Sequence, residues 1–405
     1  MSIMAIFAAV KIIIMEKVET IGRTVVKMWT TDIDDFAREQ IGNLASLPFV
    51  HHHIALMPDC HGGMGMPIGG VLPTKNVVIP NAVGVDIGCG MCAVKTNIRA
   101  KRLTTKILRK VIMKGIRGRI PLGMDHHEQP QDEQYLPMGF NIDKLQVVKT
   151  QYQSIHHQVG TLGGGNHFIE LQRDEKGWLW IMIHSGSRNL GKQVGDFYNQ
   201  KAKWFNELYY SKVEPEILLP FLPLQTPEFK NYWDEMNYCI AFAKCNRSLM
   251  MERIKEVIAD ALPLAEFEPT IDIAHNYAAF ENHYGKNCIV HRKGAVRARA
   301  GEIGIIPGSQ GTSSYIVEGL GNLDSFMSSS HGAGRLMSRT QAIKTLDLQE
   351  EIKKMEAKGI IHGMRVQKDL DEAASAYKDI DQVIALEADL VKVKTKLEPL
   401  AVIKG

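Results

Sequence analysis

The 405-residue sequence has no internal repeat and no low-complexity tract, which argues against solenoid and fibrous architectures. It also lacks a long apolar run. Residues 3–15 are largely apolar, but Lys11 interrupts them, the run is too short to span a bilayer, and no basic region precedes it as in a signal peptide. We therefore expect no membrane association. Residues 1–15 are predicted to be an N-terminal extension before a natural start at Met15, with a buried first strand as the alternative.

Excess charge and cysteine are both scarce. Lys and Arg number 48 against 45 Asp and Glu, a net charge of +3, so any affinity for nucleic acid must come from a local basic patch. The six cysteines are scattered without a secretory signal, which favours a reduced, cytoplasmic setting without disulfides. Hydrophobic residues make up 45% and charged residues 23% of the chain, as in a soluble globular protein.

The hydrophobic pattern predicts one large α+β catalytic domain over 16–405, in which β-sheets and surrounding helices intermingle without βαβ alternation. Helical spacing predicts helices at 34–47, 104–114, 143–157, 226–263 and 379–390. In the first, Phe36, Ile41 and Leu44 share the apolar face. Thr226, followed by proline, starts the fourth. Strands are predicted at 24–29 and 178–183 and at the carboxyl end, up to Lys404.

Three motif-like segments are set aside. GSRNLGK at 186–192 resembles a P-loop, but Gln193 stands where that motif needs Ser or Thr to hold magnesium. GCGMCA at 88–93 is followed by β-like residues, whereas a dinucleotide fingerprint must open a helix. Cys89 and Cys92 form a lone CxxC pair, and a structural zinc site normally needs a second pair.

A set of His, Asp and Cys residues beside glycines or at strand ends carries more information. Its members are Asp86, Cys89, His167, His184, His275 and His331. A carboxylate, a thiolate and imidazoles can together hold a divalent transition metal, and a thiolate can bridge two. Glycine costs stability unless the backbone turns sharply or a ligand approaches closely, so the adjoining glycines favour a site.

Each of these histidines also has a simpler interpretation. A lone His beside an apolar strand is more often a hydrogen-bonded core residue than a ligand. That interpretation suits His156, His157, His283 and His291. The runs at 51–53 and 126–127 look exposed and receive no role.

His331 is flanked by small residues, Gly332, Ala333 and Gly334, and Arg335 follows. Free backbone N–H groups and a guanidinium favour phosphate at such a place. A neutral imidazole is a competent nucleophile towards a phosphoryl group. A glycine-rich turn with a surface histidine is the alternative.

Nine segments, in this order, resemble the RtcB family of RNA-splicing ligases. They are MPDCHG (57–62), GVDIGCGM (84–91), GNHFIE (165–170), HSGSR (184–188), HNY (275–277), RKGA (292–295), IPGS (306–309), SHGAGR (330–335) and AYKDID (376–381). The resemblance runs from about residue 26 to residue 405. It implies an RtcB-like fold and a GTP- and manganese-dependent RNA ligase.

The resemblance also implies a site. Two manganese ions would be bound by Asp86, Cys89, His167, His184 and His275, with the Cys89 thiolate bridging them. His331 would attack the α-phosphate of GTP, release pyrophosphate and carry GMP. The guanylate would be surrounded by Asn166, His167, Phe168, Ile169, Glu170, His275, Asn276, Pro307, Gly308, Ser309, Gln310, Ser314, Gly332, Ala333, Gly334 and Lys404. Glu170 and Lys404 suit guanine's N–H donors and O6, and Gln310 stands where Met is expected.

The implied reaction opens a 2′,3′-cyclic phosphate, where present, to a 3′-phosphate. That phosphate takes GMP from His331, and a 5′-hydroxyl then displaces GMP and seals the ends in tRNA splicing or RNA repair. Arg188, Arg335 and Arg339 are candidates to bind RNA phosphates, and archease is a candidate activating partner. Three alternatives stay open: a paralogue specialised for 3′-end capping or repair of damaged RNA, a dimetal phosphoesterase using the same cluster, and a non-catalytic RNA-binding module.

Two further features are not explained by the family pattern. Residues 101–119 contain eight basic and no acidic side chains, which could contact an RNA backbone. The alternative is a solvated helix face above buried Ile107, Leu108, Val111 and Ile112. Cys60 and Cys92 add thiols near the site, and we expect them to increase its sensitivity to oxidation and zinc.

Overall fold

The computed structural model describes residues 15–209, 211 and 213–405. The prediction for residues 1–15 therefore lies outside the described residues except for Met15, which packs at the edge of an apolar cluster. Within the described residues, no helix combines the length and the apolar character needed to cross a membrane.

Most strands belong to two large sheets. In chain order the strands are β1 (Lys17–Ile21), β2 (Thr24–Met28), β3 (His53–His61), β4 (Ile68–Thr74), β5 (Val77–Val78), β6 (Gly90–Arg99), β7 (Phe168–Asp174), β8 (Trp178–Ser185), β9 (Leu222–Pro223), β10 (Ile271–Ala274), β11 (Asn276–His283), β12 (Lys286–Lys293), β13 (Ala295–Arg297), β14 (Ile303–Ile306), β15 (Ser314–Gly319), β16 (Ser328–Ser330) and β17 (Val391–Lys404). One sheet has the order β1-β2-β3-β4-β12-β11 and the other the order β10-β6-β8-β7-β17-β15-β14. Short pairs form between β13 and β16 and between β5 and β9.

Helices pack against both sheets. They are α1 (Asp35–Ser46), α2 (Pro80–Val83), α3 (Lys114–Arg119), α4 (Gln146–Gln158), α5 (Arg188–Leu208), α6 (Pro227–Ala261), α7 (Arg339–Thr345), α8 (Leu348–Ala357) and α9 (Ile380–Leu386), with a π-helix at Ile107–Met113 before α3. The predicted α+β class, with strands and helices intermingled, is confirmed.

The helices whose start is marked by a cap in the sequence are found as predicted. The Oδ1 of Asp34 accepts from the backbone N–H of Ala37 (2.8 Å) at the start of α1. The Oγ1 of Thr226 accepts from the backbone N–H of Phe229 (3.2 Å) at the start of α6. Phe36 was wrongly placed on the apolar face of α1, because its side chain is 56% exposed.

The helix predicted over 104–114 takes an unexpected form. Its middle is a π-helix, whose turns are wider than those of an α-helix. Leu108 and Ile112 are buried as predicted, but Val111 is 46% exposed, and its predicted burial was wrong. The wider turn changes which residues face the core, so α-helical spacing misplaces Val111.

Candidate metal centre and nucleotide cleft

The loop between α2 and β6 carries Asp86 and Cys89. It is pressed against its neighbours: Gly88 has a φ of +75°, and a Cβ at this position would lie 2.8 Å from the Cα of Ile240 in α6. The carbonyl of Cys89 accepts from the backbone N–H of His275 (2.9 Å). These contacts hold the loop where the chain passes from β10 in one sheet to β11 in the other.

Three histidines approach this loop. His167 directly precedes β7, His184 lies in β8, and His275 joins β10 to β11. The Nδ1 of His167 lies 3.0 Å from the carbonyl oxygen of Leu162, and the Nδ1 of His184 lies 3.1 Å from that of Asn166. When Nδ1–H donates to these carbonyls, Nε2 keeps its lone pair and faces the loop, as is usual for metal-binding histidines.

The donor atoms form two groups of three that share Cys89. One group is Asp86, Cys89 and His167, and the other is Cys89, His184 and His275; within each, the donor atoms lie within 4.8 Å of one another. The Sγ of Cys89 lies 3.5 Å from the Nε2 of His167 and 3.3 Å from that of His184. These spacings suit ligands bound to one cation at about 2.0–2.3 Å. The donor set therefore fits two transition-metal ions bridged by one thiolate.

Burial controls the protonation of this cluster. It lowers the pKa of both His184 and His275 well below the usual value, helped by neighbouring imidazoles, so both rings are neutral. Burial, together with the nearby carboxylate of Asp86, raises the pKa of the Cys89 thiol well above the usual value. A cation that binds Cys89 must therefore displace the thiol proton.

His331 lies beside the cluster, immediately after β16. Its ring centroid is 4.8 Å from that of His275. The Oδ2 of Asp59, which is fully buried in β3, lies 2.6 Å from the Nδ1 of His331 and also accepts from the His331 backbone N–H (3.1 Å). Asp59 thus holds the ring through Nδ1 and leaves the lone pair on Nε2.

Two glycines make room at this site, Gly294 and the predicted Gly334. A Cβ on Gly294 would lie 3.0 Å from the Cε1 of His331, so backbone packs directly on the imidazole. Gly334 has a φ of +77°, and a Cβ there would lie 2.4 Å from the carbonyl oxygen of Asp59. A larger side chain at either position would displace the ring or the strand that holds its carboxylate.

A cleft of about 620 Å³ opens in front of His331 and His184. Its volume is typical of small-molecule sites. Its walls come from both sheets, with His61 on one side and Glu170 and Lys404 on the other. Burial raises the pKa of Glu170 to about 8 and lowers the pKa of Lys404, so burial disfavours the charged form of both groups in the cleft wall.

Comparison with known proteins identifies the family. The family model described as tRNA-splicing ligase RtcB matches residues 40–141 and 139–405. The chain belongs to the RtcB family of RNA-splicing ligases. This confirms the resemblance drawn from the nine segments.

Curated RtcB relatives match along nearly the whole chain. The RNA-splicing ligase RtcB of Escherichia coli K12 is 38% identical over 403 residues, which cover 94% of this chain and 97% of the relative. The tRNA-splicing ligase RtcB of Nanoarchaeum equitans is 34% identical, with 90% and 91% covered, and that of Thermococcus kodakarensis is 32% identical, with 92% and 91% covered.

Most residues predicted to surround the guanylate line the cleft of this RtcB chain. These are Asn166, Phe168, Glu170, Pro307, Gly308, Ser309, Gln310, Gly332, Ala333, Gly334 and Lys404. Ile169 instead packs in the apolar core behind β7, and Ser314 is buried behind the wall. The side chain of Asn276 donates to the carbonyl of Asp86 (3.1 Å). It therefore supports the loop of residues 84–89 between α2 and β6, named here the metal-binding loop.

The arginines predicted to bind RNA phosphates already have protein partners. Arg188 donates through Nε to the Oγ1 of Thr161 and through Nη2 to the carbonyl of Gly123, both at 3.0 Å. Arg335 and Arg339 share the carboxylate of Glu372 as a partner. RNA binding by these arginines stays a prediction.

Sequence reasoning overlooked Asp59, Glu372 and Tyr377 as parts of the site. Asp59 lies in the MPDCHG segment, where a carboxylate within an apolar strand is a signal that could have found it. Tyr377 lies in AYKDID and lines the cleft beside Glu372, to which its hydroxyl is hydrogen-bonded. Glu372 carries no such signal, because the two arginines that pair with it lie more than 30 positions away.

Several cysteines and histidines outside the donor cluster are buried in the core. Cys60 and Cys92 are buried outside both donor groups, and burial raises the pKa of Cys60 to about 12, so its thiol stays protonated. His291 is a hydrogen-bonded core residue as predicted, with its Nε2 accepting from the backbone N–H of Ile79 (3.0 Å). His51 and His53 were wrongly predicted to be exposed, since both are buried.

Proposed function

We propose that this RtcB protein joins RNA 3′-phosphate or 2′,3′-cyclic phosphate ends to 5′-hydroxyl ends, using GTP and two manganese ions and passing through GMP attached to His331. The observation that carries the proposal is the position of His331 beside the shared-thiolate donor cluster and facing a cleft of about 620 Å³. The relatives, which are named RNA-splicing and tRNA-splicing ligases, support RNA as the substrate.

The first step uses the pairing of His331 with Asp59. Because Nδ1–H donates to Asp59, the Nε2 lone pair is free to attack the α-phosphorus of GTP. A nitrogen–phosphorus bond forms, the bond to the β-phosphate oxygen breaks, and pyrophosphate leaves. The ring becomes positively charged, and the buried Asp59 carboxylate stabilises that charge.

The second and third steps transfer GMP and then release it. An oxygen of the RNA 3′-phosphate attacks the phosphorus held by His331, so the nitrogen–phosphorus bond breaks and an RNA-linked diphosphate forms. The 5′-hydroxyl oxygen then attacks the 3′-phosphorus, and GMP departs. Glu170 and Lys404 would hold guanine throughout, and the small residues after His331 leave room for the phosphates.

The metal pair, when bound, supplies positive charge that stabilises the phosphoryl oxygens. Asp86, Cys89, His167, His184 and His275 would hold it. Affinity alone would favour zinc or copper at a site with a thiolate and imidazoles, so manganese is proposed from the family resemblance.

The first experiment looks for the adduct. The protein is incubated with manganese and α-labelled GTP, denatured, and tested for bound label that is acid-labile and alkali-stable, as a phosphoramidate is. His331→Ala should abolish the label and Cys89→Ala should weaken it severely, while the control His126→Ala, outside the cleft, should retain it. Label that persists in His331→Ala would place the nucleophile elsewhere, and phosphate-ester hydrolysis without an adduct would favour the phosphoesterase.

The second experiment separates sealing from capping. Two RNA strands, one ending in a 3′-phosphate and one beginning with a 5′-hydroxyl, are incubated with GTP and manganese, with and without archease. A ligase yields the joined strand and free GMP. Accumulation of RNA with GMP on its 3′ end, without joining, would favour the capping paralogue.

A further inference from the structure

A row of exposed cations runs along residues 101–117, through the π-helix and into α3. Its members, named here the basic face, are Lys101, Arg102, Lys106, Arg109, Lys110, Lys114 and Arg117. Within the residues that the structure describes, none of them lies at salt-bridge distance from a carboxylate. The neighbouring Arg119 differs, because it pairs with Glu256 and Asp260.

The basic face is electrostatically unfavourable in isolation. Within the helical stretch, which begins at Thr105, Lys106, Lys110 and Lys114 follow one another at intervals of four residues. Like charges at this spacing repel one another on a helix, and the segment contains no acidic residue to offset them. The whole chain carries a net charge of only +3, so these seven cations are a local concentration and not a share of a general excess. An anionic partner would relieve the repulsion.

Two chain segments lead from the end of the basic face towards the site. Only residues 120–122 separate Arg119 from Gly123, whose carbonyl accepts from Arg188 beside the metal-binding loop. The four steps from Arg119 to Gly123 span at most about 14 Å. On the other side, the Nη2 of Arg117 lies 3.3 Å from where a Cβ on Gly363 would be, and the segment after Gly363 leads to Glu372 in the cleft wall.

We propose that the basic face is the docking surface for the body of the RNA whose ends meet in the cleft. This inference rests on the proposed function, because an enzyme that joins RNA ends must hold the strand beyond the reacting nucleotides. Backbone phosphates neutralise the cations and release counterions, so the contact is independent of sequence and sensitive to salt.

The test is a binding measurement that needs neither GTP nor metal. A fluorescent single-stranded RNA of about 20 nucleotides with a 3′-phosphate is titrated, and anisotropy gives Kd at several salt concentrations. One variant carries Lys106→Gln, Arg109→Gln, Lys110→Gln and Lys114→Gln. The control carries Lys75→Gln, Lys176→Gln, Lys286→Gln and Lys392→Gln. These substitutions remove the same amount of positive charge from four exposed lysines on other surfaces.

The first variant should raise the Kd for RNA roughly tenfold or more. The slope of log affinity against log salt should become less steep by about 3, since each of the four lost phosphate contacts to a single strand contributes about 0.7. The control should match the wild-type protein. Equal weakening in both variants would overturn the proposal, because total charge would then explain the binding. Unchanged RNA affinity in the first variant, with loss of binding to phosphatidylserine vesicles, would assign the face to a lipid surface instead.

Attachment of labelled GMP is measured on the same proteins. It should be unchanged in both variants, because the basic face lies outside the cleft. If wild-type protein takes no label, the proposed histidine–GMP intermediate is wrong, yet the RNA titration still decides the role of the basic face. If the fourfold variant alone loses label, the four substitutions have disturbed the catalytic domain. The RNA titration is then repeated on the double variant Lys110→Gln with Lys114→Gln, which changes the segment less.

Discussion

Asp59 is a buried carboxylate that determines which nitrogen of His331 can react. In Asp59→Asn, the side chain keeps its size but can turn its amide N–H₂ towards the Nδ1 of His331. That contact favours the tautomer with the proton on Nε2, which then lacks the lone pair needed for attack. We therefore expect Asp59→Asn to slow attachment of GMP roughly 100-fold or more without unfolding the protein. The measurement is the initial rate of label incorporation from α-labelled GTP, with a thermal melt of each protein.

Glu387 offers a matched control for this prediction. It is also a fully buried carboxyl group near His331, and its Oε2 accepts from the backbone N–H of Ser330 (2.8 Å). Burial raises its pKa to about 8, so it is mostly uncharged at neutral pH and Gln imitates it. Glu387→Gln should therefore label at the wild-type rate. If both variants are slowed equally, packing and not the Asp59 charge explains the effect.

Glu170 gives the cleft a predicted pH dependence. Guanine presents N–H donors, which an ionised carboxylate accepts better than a protonated one. Because burial raises the pKa of Glu170 to about 8, the ionised form gains population between pH 6.5 and 8.5. Affinity for GMP, measured by calorimetry without metal, should rise over this range in the wild-type protein and stay level in Glu170→Gln. Parallel pH profiles would contradict guanine recognition by Glu170.

At the scale of elements, local signals in the sequence located some helices and missed others. Asp34 and Thr226 predicted the starts of α1 and α6, because the side chain of each residue caps its helix. The start of α5 was recognised only as a false P-loop, because glycines inside a helix lower its propensity. Gly195 is there for packing: its Cβ would lie 3.2 Å from the Cα of Val85, so α5 lies close to the metal-binding loop.

The centre of α6 connects this helix to the site through Arg247. The buried guanidinium pairs with Asp272 (2.8 Å) and donates to the carbonyls of Gly88 (3.0 Å) and Ser185 (2.9 Å). Arg247→Met would leave these acceptors without their partner, and loss of one partner of a buried ion pair costs about 3–5 kcal/mol. Urea unfolding measures this loss.

Arg253→Met is the control for that experiment. It makes the same substitution on the same helix, where the guanidinium is only partly buried and donates to the carbonyl of Arg119 (3.1 Å). We expect it to cost about 1 kcal/mol. If Arg247→Met costs no more than Arg253→Met, the connection between α6 and the loop does not stabilise the fold.

At the scale of the whole molecule, the sequence indicated candidate residues for the site but not how they come together. The glycines beside Cys89, His184 and His331 pointed to close packing, which the structure confirms. That His275 joins the two large sheets could not be predicted, because strand order depends on contacts between residues far apart in sequence. The pairing of Asp59 with His331 could not be predicted for the same reason, since the two residues lie 272 positions apart.

Because the donor cluster lies where the two sheets are joined, metal binding should stabilise the chain as one unit. We expect a single thermal transition whose midpoint temperature rises with manganese and returns to its original value with a chelator. Each ion should stabilise the folded state by about 2.7 kcal/mol at 100 times its Kd. Cys89→Ser should lose most of the shift because Cys89 belongs to both donor groups, whereas His275→Ala should keep the part due to Asp86 and His167. Two transitions, of which manganese moves only one, would contradict the predicted single domain over 16–405. An undiminished shift in Cys89→Ser would contradict the bridging thiolate.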